Sequence, residues 1–366
     1  MRNDEKIQTR DFSKFADGAC HNLSPLCPID LDAIADFDEM LRAMSTTAFG
    51  GRSLGEALDV LEAMVEDPDC LVVATISGAM TVAKMSMVLC KMIDAGWVDV
   101  VISTGAIMAH GFIESIGLKQ FKYEAQMDDR TLYEQGYNRV YDTLEPEANF
   151  IEAEHILCKV LNDLDGEPFL YSEILCRAVG RYLAEKYQGC SIFKSAYAQD
   201  VPVYIPAFTD SELALDVVCH ILHKIGCHDL EVPDPAILPF QFNPFLDLLS
   251  YARRVVSAKK LGIFTIGGGV PRNWAQQIGP FVEIAKQRVP GLDLPMRQFC
   301  YAVRVCPEPV HLGGLSGCTY HEGISWGKFV APEDGGRFAE VYCDATIVWP
   351  LLVKALDQRL TKKRQR

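Results

Sequence analysis

The sequence predicts an α/β fold: one mostly parallel sheet with helices on both faces. Three observations carry that expectation. Short apolar runs recur along the chain, each run ends in a turn of small residues, and each turn opens into a helical pattern. Parallel strands need crossover helices of this kind, whereas hairpins would need only short polar turns. The length of 366 residues suits one large domain behind an irregular arm, and 49% hydrophobic with 23% charged usage is ordinary for a protein with a sizeable core.

Residues 1–30 are polar and irregular, with Pro25 and Pro28, and are expected to form the arm; residues 31–366 are expected to form the α/β domain. After Asp30, apolar positions from Leu31 through Phe37, Met40, Leu41 and Met44 follow helical spacing, and Gly50-Gly51 is expected to break that helix. A second helix over Leu54–Val65 ends before Asp67-Pro68. Leu71–Ser77 is the first strand, and it leads through Gly78-Ala79-Met80 into a helix reaching about Ile93. Val98–Ser103 leads through Thr104-Gly105-Ala106 into another helix, and Pro202–Pro206 leads through Phe208-Thr209-Asp210 into a third. Leu261–Ile266 leads through Gly267-Gly268-Gly269 into a helix around Trp274. Further strands are expected at Tyr301–Val305 and Ala339–Tyr342, and the basic tail Lys362–Arg366 reads as a solvated end.

The balance of 35 basic against 49 acidic residues gives a formal charge of −14, which repels nucleic acid and anionic membrane and favours cationic ligands such as amines. Thirteen cysteines without a C-x-x-C pair, in a chain too large to need staples, suggest reduced and mostly buried thiols in a cytoplasmic protein. The N-terminus MRNDEKIQTRDF lacks the apolar stretch of a signal peptide, and Ala345–Val353 is too short to span a bilayer, so a soluble protein is expected.

In a parallel sheet the strand ends share one edge, where open α/β folds bind ligands. Ser77-Gly78, Ser103-Thr104-Gly105 and Gly267–Gly269 fall on that edge. Glycine allows close backbone approach and a helix N-terminus offers free N–H groups, so a dinucleotide pyrophosphate fits there. The G-x-G-x-x-G fingerprint is absent, and tight turns without a ligand are the alternative. Asp210 and Asp344 stand where helix N-caps stand, with a ligand contact as their other reading. Cys219 and His223 have the spacing of a metal pair, but no second pair accompanies them and Gly226 is expected to end the helix before Cys227 and His228. Cys219 continues the apparent apolar face of Leu213, Leu215 and Val218, so no metal is expected; His155 and His311 read as surface groups. No G-x-S-x-G elbow is present.

Lys328, two residues after Trp326, is the candidate nucleophile. An amine attacks a carbonyl or imine only when neutral, and bringing a lysine from about 10.4 to about 7 takes roughly 4–5 kcal/mol. Desolvation against the Trp326 ring is one means; a surface lysine, or one paired with Glu322, is the other reading.

The run Glu322-Gly-Ile-Ser-Trp-Gly-Lys328, followed by Val341-Tyr-Cys-Asp-Ala-Thr-Ile-Val-Trp-Pro-Leu-Leu352, closely resembles the C-terminal signature of deoxyhypusine synthases, E-A-V-S-W-G-K then V-Y-A-D-A-S-L-V-F-P-L-L. Trp97–Gly105, Pro202–Asp210 and Ile266–Val270 match in order, and the likeness spans about residues 50–355. The resemblance implies a Rossmann-like sheet, a homotetramer with active sites at subunit interfaces, bound NAD and a lysine imine. It makes Lys328 the imine-forming lysine, Trp326 a wall of the polyamine tunnel and Glu322 its acidic residue. Ser77, Gly78, Thr104, Gly105, Asp210, Gly268, Asp344 and Ala345 fall on the NAD-binding turns.

The departures bear on the substrate. Asn273 stands where the family's G-G-G-V-x-K-H-H run has a proton-transfer histidine, and asparagine is no base at pH 7. Ala109 and His110 replace paired glutamates, Leu315 replaces the acidic residue beside Ser316 in the loop Gly313–Gly317, and Leu215 replaces a spermidine aspartate, with Asp216 next to it. Each missing carboxylate would cost a bound polycation roughly 2–5 kcal/mol. Either another amine is the substrate, or rearranged groups such as His110, Glu212, Asn273 and Ser316 serve it, a pattern like that of the deoxyhypusine synthase-like proteins. Two functions are compatible with this: an NAD-dependent aminoalkyl transferase, with a small diamine a more natural acceptor than a protein lysine, or a non-catalytic NAD-binding subunit of a catalytic paralogue.

Overall fold

The computed structural model describes residues 10–227 and 234–365, so Met1–Thr9 of the arm, His228 and Arg366 lie outside the described residues. Six strands form the main sheet: β1 (Cys70–Ile76), β2 (Val100–Ser103), β3 (Val203–Tyr204), β4 (Lys260–Ile266), β5 (Phe299–Val305) and β6 (Arg337–Val341). Their order is β6-β5-β4-β1-β2-β3 and every pairing is parallel. The chain winds outward from β1 to β3, returns to lay β4 beside β1, then winds outward the other way. The crevice between the ends of β1 and β4 is therefore a topological switch point, the place where doubly wound sheets bind ligands.

Side-chain alternation divides the core in two. Val72, Ala74 and Ile76 of β1, with Phe264 and Ile266 of β4, join one cluster under the helices Phe49–Glu66, Gly105–Ser115 and Ala345–Arg364. Val73, Leu261 and Ile263 join a second cluster under the helices Pro244–Ser257, Gly269–Gln276 and Ile278–Arg288. Helices thus cover both faces of the sheet, as the sequence pattern predicts. Among the described residues no helix is long and apolar enough to cross a membrane.

Four local expectations are corrected. The first helix, Phe37–Ser45, stops before the glycines, because Ser45, Thr46 and Thr47 turn their hydroxyls back onto the carbonyls of Arg42, Ala43 and Met44. Gly50 and Gly51 lie instead in the first turn of Phe49–Glu66, and that helix crosses its predecessor at Gly55, where a Cβ would stand 2.5 Å from the Leu41 carbonyl. In the helix Glu212–Lys224 the buried stripe is Leu213, Val217 and His220, so Leu215, Val218 and Cys219 form the exposed face rather than the packed one. Asp210 does not cap this helix; Ser211 holds the N-cap position and its hydroxyl donates to the Phe208 carbonyl. Residues 121–146, where no strand was expected, hold a small antiparallel sheet of Phe121–Lys122, Tyr137–Val140 and Thr143–Pro146.

The basic tail is largely the solvated end expected, with Lys363, Arg364 and Gln365 exposed, but the helix that carries it is anchored. Arg359 is fully buried in the last helix and donates to Asp38, Asp59 and Glu62 at 2.6, 2.6 and 3.0 Å, while Lys362 and Lys363 pair with Asp36, Glu39, Glu62 and Glu66. Burial pushes the Asp38 carboxyl up, but hydrogen bonds from Arg359 and Arg42 outweigh it and hold the group below the usual carboxylate range. The stability this lends is complete above that range and is lost as pH falls through the lowered value. Arg359→Met leaves Asp38 buried without its main partner and is expected to destabilise the fold by roughly 3–5 kcal/mol in urea unfolding at pH 7. Lys363→Met, at the exposed rim, should cost at most about 1 kcal/mol in the same measurement; equal effects would contradict this account.

Candidate functional site

The site is assembled from the turns that follow β1, β2, β3 and β4. Gly267 and Gly269 take φ of 76° and 62°, which β-carbon-bearing residues rarely adopt, and the chain enters the helix Gly269–Gln276 directly. The Ser77 hydroxyl bridges the β1 and β4 ends: it donates to the Ile266 carbonyl at 3.2 Å and accepts from the Gly268 N–H at 2.8 Å. A Cβ on Gly268 would lie 2.6 Å from the Ser316 Cα, so the glycine turn touches the 316 loop. On the β2 side Thr104 caps the helix Gly105–Ser115, and a Cβ on Gly105 would lie 2.2 Å from that of Ser211. Asp344 caps the final helix through the Thr346 N–H at 2.8 Å, which places Ala345 in its first turn. Gly78 has φ of 80° and Asp210 is exposed.

Beside this edge is a cavity of about 300 Å³ whose lining includes Lys328, Asn273, Arg272, Cys318, Glu322 and Trp326. Lys328 follows Gly327 at φ 68°, and its carbonyl accepts from the Phe299 N–H at 2.9 Å, which ties it to the start of β5. The residue is 8% exposed. Its Nζ donates to Asn273 Oδ1 at 3.1 Å and stands 5.9 Å from the Trp326 ring, which is itself 62% exposed. Burial lowers the Lys328 pKa; Cys318 and Glu322 oppose the shift, and the neighbouring Arg272 guanidinium adds to it.

Two arginines hold the loop that lies across this cavity. Arg272, 2% exposed, donates to the Ser316 and Cys318 carbonyls at 3.3 and 2.6 Å. Arg304 donates to the same two carbonyls at 2.6 and 2.7 Å and also to Glu340 at 3.1 Å. Both guanidiniums lie over the buried Tyr320 ring.

Lys328, Trp326, Glu322 and Asn273 are therefore brought together, and Ser316 lies between them and the glycine turn. His110 is not in the cavity lining; its Nδ1 is 3.2 Å from the buried Glu145 carboxylate. Glu212 and Asp216 are also elsewhere, in a carboxylate group with Glu154 where burial, then repulsion by Glu154 and Glu212, pushes Asp216 up to about 6. Arg272 and Cys318 are cavity residues that sequence reasoning did not single out. The signal for Arg272 was its place beside Asn273 on a helix whose N-terminus meets the sheet edge.

A family model of deoxyhypusine synthase matches residues 39–356. The chain belongs to the deoxyhypusine synthase family. It is 30% identical to "Probable deoxyhypusine synthase 2" of Methanosarcina acetivorans over 93% of this chain and 92% of that protein. It is also 30% identical to a "Deoxyhypusine synthase-like protein" of Chlorobaculum tepidum over 86% and 84% of the two chains. A crystallised chain of Entamoeba histolytica assigned to deoxyhypusine synthase shares the fold, with a TM-score of 0.55 and 12% identity over 90% of this chain and 96% of that one.

The geometry around Lys328 sets its titration. Competitive labelling with an amine-selective reagent, read by mass spectrometry against pH, should place Lys328 below an ordinary lysine. Asn273→Leu removes the oxygen that the ammonium form donates to and should move the midpoint lower still. An ordinary lysine midpoint in the native protein would contradict the burial seen here.

Proposed function

We propose that this deoxyhypusine synthase family member transfers an aminoalkyl group from one amine to another through an imine on Lys328, with NAD as the hydride carrier. The observation that carries this reading is a buried lysine of lowered pKa, walled by an aromatic ring, in a cavity one loop away from the switch point of a doubly wound sheet.

The residues at the switch point fit a dinucleotide. Gly267, Gly268 and Gly105 stand where a β-carbon would collide with Ser77, Ser316 and Ser211, so these glycines let the strand ends close in around the N-termini of the helices Gly269–Gln276 and Gly105–Ser115, whose free N–H groups would suit a pyrophosphate. Thr104, Asp210, Asp344 and Ala345 complete the turns on which the family resemblance places NAD. The dinucleotide, when bound, supplies an acceptor for the hydride on the amine-bearing carbon and returns that hydride at the end.

Neutral Lys328 attacks the carbon of the protonated substrate imine, and the lysine imine forms in the same protonated state. A C–N bond forms to Nζ, the C–N bond to the departing amine breaks, and that amine leaves carrying the proton lost by lysine. The acceptor amine then displaces lysine by the same exchange. Trp326 offers an apolar wall to the methylene chain, and Asn273 orients Nζ through its 3.1 Å hydrogen bond. Asn273 cannot take a proton at pH 7, so Glu322, which lines the cavity, is the group placed to do so.

The substrate is a polyamine or a related amine, and the acceptor a small diamine. Val310, Leu315 and Trp326 line the cavity yet are exposed in the single chain, which supports a homotetramer in which a second copy closes the site. Asparagine at position 273 favours the competing reading, a non-catalytic partner of an active paralogue, and one experiment separates the two. Borohydride added to the NAD-loaded protein with a panel of amines should add mass to the peptide carrying Lys328. Lys328→Arg should abolish the adduct and lower turnover on the order of 10³-fold or more. No adduct with any amine would overturn the transferase reading.

A further inference from the structure

The turn after β3 is held from behind by a buried relay. Asp247, on the helix Pro244–Ser257, is 2% exposed and accepts the Ser172 and Glu173 N–H groups, each at 3.0 Å, and the Ser172 hydroxyl at 2.9 Å. The two N–H groups open the helix Ser172–Lys186, whose N-cap residue Tyr171 makes no side-chain cap, so a carboxylate from another helix serves as one. Capping explains Asp247 but not what Ser172 does next. Ser172 is fully buried, and its hydroxyl accepts the Ile205 N–H at 2.8 Å. A hydroxyl has one hydrogen, and an ionised carboxylate only accepts. Asp247 therefore takes that hydrogen and leaves a lone pair of Ser172 facing Ile205. Burial pushes the Asp247 carboxyl up to about 6, which still leaves it ionised at pH 8.

Ile205 is the first residue past β3, and from it the chain turns through Phe208 and Asp210 to Ser211. The Phe208 ring stacks on Phe242 at 4.6 Å, in the short strand Gln241–Phe242 that pairs with Phe169–Leu170. Residues 169–172 and 241–247 thus form one platform under this turn.

We infer that Ser172 and Asp247 are positioning residues for the dinucleotide: the carboxylate orients the Ser172 hydroxyl, and the hydroxyl fixes the backbone of the turn that carries Asp210 and Ser211. This rests on the dinucleotide reading of the switch point and says what holds its β3 wall. Ile205 is 1% exposed, so without the hydroxyl its N–H would be a buried donor with no partner, and only a shift of the turn could find it another. Such a shift is felt at the ligand edge, because Ser211 packs so closely on Gly105 that a Cβ there would lie 2.2 Å from its own. Gly105 opens the helix whose free N–H groups would suit the pyrophosphate. Neither Ser172 nor Asp247 lines the Lys328 cavity, and both are closed off within the chain, so a second copy covering that cavity leaves the relay as it is.

The test measures NADH binding to the full-length protein by calorimetry at pH 8. Ser172→Ala removes the hydroxyl but leaves both N–H groups on Asp247, and it should weaken binding by on the order of three- to tenfold. Ser172→Thr, which keeps a hydroxyl, should restore most of the affinity. Arg359→Met, which destabilises the fold through a separate set of ion pairs, should bind NADH as the native protein does, and the Lys328 labelling midpoint should be the same in Ser172→Ala as in the native protein. An equal loss in Arg359→Met, or a moved Lys328 midpoint, makes the effect one of general stability and overturns the inference. Hydrogen exchange on the native protein needs no variant. Saturating NADH should slow exchange at Ile205 and at Ser172 and Glu173 alike, because coupling between sites is reciprocal; protection confined to residues 207–211 overturns the inference. A native protein that binds no dinucleotide brings down the dinucleotide reading and this inference with it. Binding that Ser172→Ala leaves untouched brings down the inference alone.

Discussion

The site depends on two buried guanidiniums sharing two carbonyls. Arg272, from the helix that follows the glycine turn, and Arg304, from β5, both donate to Ser316 and Cys318. They thereby fasten one loop to a helix and a strand at once. That loop touches Gly268 on one side and runs into the helix Tyr320–Ile324 on the other, three residues before Lys328 is reached at the next turn. Tyr320 is the wedge: its ring lies under both guanidiniums and its N–H donates to Glu340. Hydrogen bonds to charged donors are among the stronger contacts available, and buried ones hold a geometry that loops alone do not.

The arrangement joins two features that the chain builds separately. The switch point between β1 and β4 follows from winding direction and would exist with any side chains at position 328. Lys328, the proposed nucleophile, follows a left-handed turn at Gly327 and is pinned to the start of β5. The 316 loop lies between them, touching Gly268 and held by Arg272 and Arg304, and the proposed imine mechanism would need both, because the carbon that loses hydride at one would be the carbon that meets the amine at the other.

Much of this was legible in the sequence. Runs such as Leu71–Ile76 and Leu261–Ile266 are apolar on both faces, as strands buried under helices must be, and the small residues after them mark the turns. Strand order was not legible, because pairing of β4 with β1 joins segments far apart in the chain and no local pattern encodes it. Lys328, Trp326 and Glu322 stood in one short run, whereas the Asn273 contact depends on the packing of a helix 55 positions away. Arg272 follows a proline at the start of a helix and reads as an ordinary polar surface residue; only the Tyr320 ring and the two carbonyls show that it is buried. Periodicity also misled at Cys219, since apolar residues occupy two faces of that helix and only one packs inward.

The overall charge and the local charge point in different directions, and distance resolves the conflict. A formal charge of −14 acts at long range, drawing cations toward the surface and being weakened by salt over about 10 Å. Close to Lys328 the effects are local: burial lowers its pKa, the Arg272 guanidinium adds to that shift, and Cys318 and Glu322 oppose it. Where water is largely excluded each of these neighbours counts for more than the screened field of the whole surface, so the protonation of this one amine is set by the groups packed around it and not by the net charge of the chain.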